Sequence, residues 1–184
     1  MRPSAGLSAA CGNWSVAEPL RFEPFDRKHH DRSRFDCGVA ALNDYLRTSL
    51  GQHDRRDLTR GFVAADARHL VVGYFTLAAG RLSVSVFQDR RRLPARMPLP
   101  TTLLARLAVD KAWQGRGLGA ALLAYALRVA VHGAELIASA VIEVDAKDDA
   151  ARAFYARFGF RSLADDRLRM YLPMETARRA IGRA

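Results

Sequence analysis

Apolar and polar positions along the chain change their period several times, and each change marks an element. Residues 20–25 predict a first strand. After Arg34-Phe35-Asp36-Cys37-Gly38, the positions Val39, Leu42, Leu46 and Leu50 fall on one helical face, with Asp36 as the expected N-cap. Residues 59–65 and 70–79 predict two strands flanking an Asp66-Ala67-Arg68 turn, an antiparallel pair. A basic, proline-broken loop is expected at 88–100. A strand then follows over 103–109, a helix over 120–131 and a β-rich segment over 136–144. Residues 148–158 predict a helix capped at Lys147 or Asp148 and stopped by Gly159, with Phe154 and Phe158 one turn apart. Closing strands are expected at 160–163 and 168–172, and a short basic helix beyond 174. Strands and helices are interleaved, which predicts one α/β (α+β) domain over 20–174. Residues 1–19 read as a poorly ordered tail and 175–184 as a basic C-terminal tail.

The junction of the 103–109 strand and the following helix carries the clearest chemistry. Gln114-Gly115-Arg116-Gly117-Leu118-Gly119 is a glycine-rich turn opening a helix. Such a turn exposes backbone N–H groups at the positive end of the helix dipole, a site suited to phosphate or pyrophosphate. Glycine allows close approach of the ligand and, where needed, positive φ. A P-loop would require Lys-Ser/Thr after the last glycine, where Ala120-Ala121 stands. A dinucleotide fingerprint would require G-x-G-x-x-G, whereas the spacing here is G-x-G-x-G.

Charge adds a second constraint. The chain of 184 residues has a formal net charge of +10, and its only lysines are Lys28, Lys111 and Lys147. Arginine forks match phosphate and stack on bases. Arg90, Arg91, Arg92 and Arg96 cluster in one expected loop, and Arg55, Arg56 and Arg60 in another, a pattern that suits an anionic partner. A hydrophobic content of 49% excludes a disordered chain. No apolar run approaches the roughly 20 residues of a membrane span, and the start lacks the apolar stretch of a signal peptide. Cys11 and Cys37 lack metal-ligand spacing and read as thiols of a reducing cytoplasm. His29-His30 lacks a third ligand, so no metal is expected. His53 reads as a surface histidine.

Downstream lies Ala153-Phe154-Tyr155-Ala156-Arg157-Phe158-Gly159-Phe160. The pairing of Q-x-x-G-x-G with F-Y-x-x-F-G-F resembles the GNAT acetyltransferase superfamily. Phe35-Asp36-Cys37-Gly38, then Leu42-Asn43-Asp44-Tyr45-Leu46, and the closing Met170-Tyr171-Leu172-Pro173-Met174 resemble the GNAT toxins of bacterial toxin–antitoxin pairs. This resemblance implies a central twisted, mostly antiparallel sheet flanked by helices, whose fourth and fifth strands splay apart to admit acetyl-CoA. The pyrophosphate would rest on the N–H groups of Arg116, Gly117, Gly119 and Ala120, within a cofactor-binding turn running from Gln114 through Gly115 and Leu118. Backbone groups of Leu107, Ala108 and Val109 would contact the acetyl carbonyl and pantetheine.

The implied reaction is acetylation of the α-amino group on charged tRNA, which blocks translation. The implied partners are a ribbon-helix-helix antitoxin, operator DNA through the complex with it, and a second copy of the chain in a homodimer. An α-amino group with a pKa near ~8 needs no strong base. Asp145 and Ser139 are candidate water-orienting groups with a structural role as the more economical reading. Tyr155 is the candidate general acid for the departing thiolate, since it need not share the buried face of Phe154. Arg90, Arg91, Arg92 and Arg96, then Arg55 and Arg56, are the candidate tRNA contacts. Two alternatives stay open: an acetyltransferase acting on a protein or small amine, and a subunit acting only by binding antitoxin and DNA.

Overall fold

The computed structural model describes residues 19–87 and 97–182. Its sheet has seven strands in the order β1-β2-β3-β4-β5-β7-β6. These are β1 (Arg21–Pro24), β2 (Arg60–Ala65), β3 (Val71–Leu82), β4 (Leu99–Val109), β5 (Val141–Asp145), β6 (Arg161–Ser162) and β7 (Arg169–Pro173). The pairs β1–β2, β2–β3, β5–β7 and β6–β7 are antiparallel, and β4–β5 is parallel. Register between β4 and β5 runs from Thr101 opposite Val141 to Leu104 opposite Val144. The remainder of β4 has no β5 partner among the described residues. The helices are α1 (Ala40–Asp44), α2 (Leu50–Arg55), α3 (Leu118–Leu136), α4 (Asp149–Arg157) and α5 (Met174–Ile181), with a π-helical turn, Tyr45–Ser49, linking the first two.

Contacts divide the described chain into two units. One holds 19–78 and 105–126. Its core gathers Phe25, Phe35, Tyr45, Leu46, Leu50, Val63, Val71, Tyr74 and Ala108. From Val71 to Leu77, β3 is buried at every position, as a strand covered on both faces must be. Gly73 lets α3 sit close on the sheet, because a Cβ there would lie 2.6 Å from Leu122 Cδ1. Tyr125 of α3 packs edge-on against Phe22, Phe62 and Phe75, at centroid distances of 5.6–5.9 Å.

The other unit holds the described parts of 79–104 and 127–184. Leu82, Val84, Phe87, Leu99, Val141, Leu163 and Tyr171 form its core. Backbone bonds from Ala140 N–H to Pro100 O (2.8 Å) and from Met174 N–H to Ala140 O (3.0 Å) tie the start of β4 to one end of the β5–β7 pair. Glu143 of β5 is half-buried there, and its Oε1 accepts from Thr101 Oγ1 at 2.5 Å.

Four expectations change. Asp36 does not cap the first helix: Val39 holds the N-cap position in extended geometry, without a side-chain bond. The helix expected at 120–131 starts at Leu118 and runs to Leu136, so the 136–144 segment becomes strand only from Val141. Leu136 and Ile137 stand exposed, at 83% and 79%. Strand β4 starts at Leu99, earlier than its apolar run, with Pro100 beside the first residue, where a missing N–H is tolerated. The basic cluster Arg90, Arg91, Arg92 and Arg96, the tail with Cys11, and Arg183 lie outside the described residues.

Candidate active site

The glycine turn is built from the strand end upward. Asp110, just past β4, donates its N–H to Val72 O at 2.9 Å. Its carboxylate accepts from Ala112 N–H and from Asp36 N–H, both at 2.9 Å. The first bond caps the short 3-10 turn Lys111–Trp113. The second attaches that turn to the Phe35-Asp36-Cys37-Gly38 segment, which Lys111 N–H also reaches through Asp36 O at 2.8 Å.

Asp36 is the hub of this attachment. Its Oδ2 accepts from Lys111 Nζ at 2.8 Å, and its Oδ1 accepts from Gly38 N–H at 2.9 Å and from Asn43 Nδ2 at 2.8 Å. The Lys111 bond, then those from Gly38 and Asn43, hold its carboxyl well below the usual carboxylate range. Asn43 returns the contact by accepting Cys37 N–H at 2.9 Å. Gly38 takes φ +85, and a Cβ there would stand 3.0 Å from Lys111 Cε. The acidic residue and glycine of the segment are therefore a lock on the turn after β4. No local pattern reveals it, because Lys111 lies far along the chain.

Gln114 extends the same lock. Its Nε2 donates to Val109 O at 2.9 Å and to Cys37 O at 3.1 Å. The side chain fixes the turn rather than reaching outward. Gly115 and Gly117 then adopt φ +73 and +86, the left-handed region in which glycine carries no Cβ penalty. Alternation of left- and right-handed residues aims successive N–H groups to one side, the geometry of an anion nest. Gln114 to Gly117 are exposed, and among the described residues no protein group accepts from the N–H groups of 115–119. Ala120 differs from expectation: its N–H is spent on Gly117 O at 2.9 Å. Leu118 is buried and anchors the first turn of α3. Arg116 places its guanidinium 5.8 Å from the Trp113 ring. The turn offers several convergent donors and fits a diphosphate.

Tyr155 belongs to α4. Asp148 caps this helix by accepting Ala151 N–H at 2.8 Å, and Gly159 at φ +90 ends it. The buried positions are Tyr155 and Phe158, three apart, while Phe154 is half-buried. That reverses the expected facing of Phe154 and Tyr155. Tyr155 is 7% exposed and touches Phe154 and Phe160 at ring distances of 5.2 and 5.5 Å. Burial pushes its phenol above the ordinary tyrosine range, which keeps the proton on the oxygen.

Other candidates separate by what they touch. Ser139 accepts from Thr102 Oγ1 and donates to Val141 O, and Asp145 faces Arg169 at 3.8 Å, so both serve the β4–β5–β7 framework. Arg55 and Arg56 are exposed, and Arg55 lines a cleft of about 620 Å³ with Phe25, Asp26, Arg27, Lys28, Gly51 and Asp54. Arg60 is paired with Asp57 at 2.5 Å. His53 is half-buried rather than on the surface, with Nδ1 3.2 Å from the Tyr45 hydroxyl.

Three features escape sequence reasoning. Arg106 of β4 sits 3.5 Å over the Tyr45 ring, a cation–π contact whose only sequence signal is an arginine inside an apolar strand. Glu143 is a carboxyl made easier to protonate by burial. The third is a cluster around the paired histidines: the fold brings Glu23 and His69 to His29, which the sequence leaves without further ligands.

Comparison with known proteins gives a consistent picture. The acetyltransferase (GNAT) domain family matches residues 57–162. A tRNA-acetylating toxin of Mycobacterium tuberculosis is 40% identical over 153 residues, covering 83% of this chain and 91% of its own length. Among solved structures, a tyrosine-to-phenylalanine mutant of KacT matches with a TM-score of 0.82 and 26% identity, over 87% of this chain and 98% of that one. AtaT complexed with acetyl-methionyl-tRNAfMet matches with a TM-score of 0.81 and 28% identity, over the same shares. Further matches at 27% identity are AtaTR bound with AcCoA, with a TM-score of 0.77, and a KacTA–DNA complex, with a TM-score of 0.76.

Proposed function

Because the chain belongs to the GNAT acetyltransferase family, we propose that it moves the acetyl group of acetyl-CoA onto the α-amino group of aminoacyl-tRNA and so blocks translation. The observation that carries this reading is the run of unspent N–H groups at 115–119, locked in place through Asp36, Lys111 and Gln114. The 40% identity to a tRNA-acetylating toxin supports the choice of acceptor.

In this reading the N–H groups of Arg116, Gly117 and Gly119, with those of Gly115 and Leu118, bind the donor's pyrophosphate. Backbone N–H groups of Leu107, Ala108 and Val109 polarise the thioester carbonyl and stabilise its oxyanion. The neutral α-amine attacks, a C–N bond forms and the C–S bond breaks. The amine loses one proton to solvent, the Tyr155 hydroxyl gives one to the departing thiolate, and Tyr155 regains a proton from solvent. Arg55, Arg56, Arg90, Arg91, Arg92 and Arg96 hold tRNA phosphates, making binding salt-sensitive and independent of base sequence.

A ribbon-helix-helix antitoxin, operator DNA bound through it, and a homodimer complete the proposed setting. AtaT bound to the antitoxin AtaR supports an antitoxin as partner, and the KacTA–DNA complex supports DNA. No helix among the described residues is long and apolar enough to cross a membrane. Charged tRNA places the reaction in the cytoplasm.

The test supplies purified protein with labelled acetyl-CoA and a pool of charged tRNAs, with uncharged tRNA beside it. Label is expected on charged tRNA alone. Label on neither, with acetyl-CoA still bound, would transfer the assignment to a protein or small-amine acceptor.

A further inference from the structure

We propose that Glu23, His29 and His69 form a binding site for a divalent transition-metal ion, zinc by ligand chemistry, which joins β1 to the turn between β2 and β3. One ligand atom from each lies within 4.8 Å of the others. Two imidazoles and one carboxylate are the donor set that borderline-soft Zn²⁺ favours, with a fourth position left for water. Closing from these separations to metal–ligand bonds of about 2.0–2.2 Å requires only side-chain adjustment, because the backbone that carries the donors is already fixed.

That backbone is built for position. His69 takes φ +63, a left-handed conformation unusual for a residue with a Cβ. Asp66 holds it there: its carboxylate accepts from Arg68 N–H (2.9 Å) and Leu70 N–H (2.8 Å), and its carbonyl accepts His69 N–H at 3.0 Å. Asp31 N–H donates to His69 O at 2.9 Å, so the segment after β1 is tied to the same turn. His29 and His69 rings lie 3.7 Å apart by centroid.

A second, independent observation points to a ligand. His69 Nδ1 is buried and has no hydrogen-bond partner among the described residues. A buried polar atom without a partner is costly, and a bound ion would satisfy it. Glu23 is oriented as well. His30 is buried, and its Nδ1 accepts Asp26 N–H at 2.9 Å, which places the proton of the neutral ring on Nε2. That N–H donates to Glu23 Oε1 at 3.1 Å, leaving the other carboxylate oxygen for the ion. His30 thus has the role of the outer groups that orient metal ligands. Neither the glycine turn nor Tyr155 takes part, so this site stands apart from the proposed transfer chemistry.

The experiment titrates metal-stripped, tag-free full-length protein with Zn²⁺ by calorimetry, alongside His69→Ala, His29→Ala and Glu23→Gln. Other histidines and the cysteines also offer zinc ligands, so the comparison between proteins assigns the site. Wild type should bind one ion at micromolar concentration or tighter, and each variant should weaken this event by about 10- to 100-fold. Substoichiometric Co²⁺ should develop the visible absorption of a four-coordinate centre in wild type and not in His69→Ala. Circular dichroism and acetyl-CoA binding of the variants serve as folding controls. Equal zinc affinity in wild type and in folded His69→Ala and His29→Ala would overturn the proposal, as would the absence of a one-to-one event in wild type.

Discussion

The glycine turn and the Tyr155 helix solve opposite problems with opposite materials. The turn leaves its polar groups facing water, and the polar bonds that hold it come from behind: Asp36, Asp110 and Gln114 spend their side chains on the backbone, and Lys111 spends its own on Asp36. Helix α4 buries the Tyr155 ring against Phe154 and Phe160, and burial raises its phenol above the ordinary tyrosine range. A surface that binds an anion needs donors left unspent and prevented from moving. A group that hands a proton to one leaving atom needs a fixed position beside it. Damage to the first is therefore expected in affinity, and damage to the second in turnover.

Tyr155→Phe offers the sharpest break in that comparison. Removing only the hydroxyl should lower kcat by about 10²- to 10⁴-fold while acetyl-CoA affinity and Tm stay near those of wild type. Retention of full turnover, or of growth arrest in cells, would remove Tyr155 from the proposed chemistry.

Gly117→Asp should show the reverse pattern. A Cβ at φ +86 strains the turn, and the new carboxylate repels a diphosphate. Acetyl-CoA binding by calorimetry should weaken about 30- to 100-fold. Undiminished affinity would move the donor's pyrophosphate off the turn.

A milder version is Gln114→Ala, which deletes the two bonds to Val109 O and Cys37 O but leaves the nest's glycines in place. Affinity should fall about 3- to 10-fold with kcat at saturation unchanged. A fall in kcat alone would contradict the division of labour.

Asp36→Asn gives the smallest expected effect, and pH sharpens it. The folded-state pKa of Asp36 lies below its unfolded value, so its charge stabilises the fold in full above about pH 4 and loses that effect as acid protonates it. At pH 7 the substitution should lower Tm by about 1–3 °C, small because the Asp36–Lys111 pair is exposed. The gap between the two proteins should narrow as pH falls from 4 towards 2. A gap that widens on acidification would show that Asp36 acts by something other than its charge.

What sequence reveals here follows the range of the forces involved. The glycine turn, the β2–β3 pair and the ends of α4 depend on neighbours in the chain: left-handed glycines at 115, 117 and 159, a cap at Asp148, a hairpin turn at Asp66. All were legible. Asp36 was misread because its decisive partner is a lysine remote in sequence, and a local rule sees only an acidic residue before a helix. Tyr155 was placed off the buried face because a helical wheel assumes Phe154 leads, whereas the aromatic partner Phe160 lies beyond the helix stop. Exposure of Leu136 and Ile137 defeated the strand reading, since apolar residues normally signal burial. The ligand cluster stayed hidden for the same reason as Asp36: Glu23, His29 and His69 meet only once β1 has paired with β2 and the next turn has closed.

The lock between Asp36 and Lys111 also sets a clock. Seventy-five residues of chain separate the two, and seventy-seven separate Cys37 from Gln114. At about 5–20 residues per second, a ribosome needs roughly 4–15 s to deliver the second half after the first. Throughout that interval the Phe35–Gly38 segment has its local partner Asn43 but not Lys111 or Gln114, and the turn it will hold does not yet exist. Under the proposed function, a chain that attacks translation becomes competent only when its own translation is well past the midpoint.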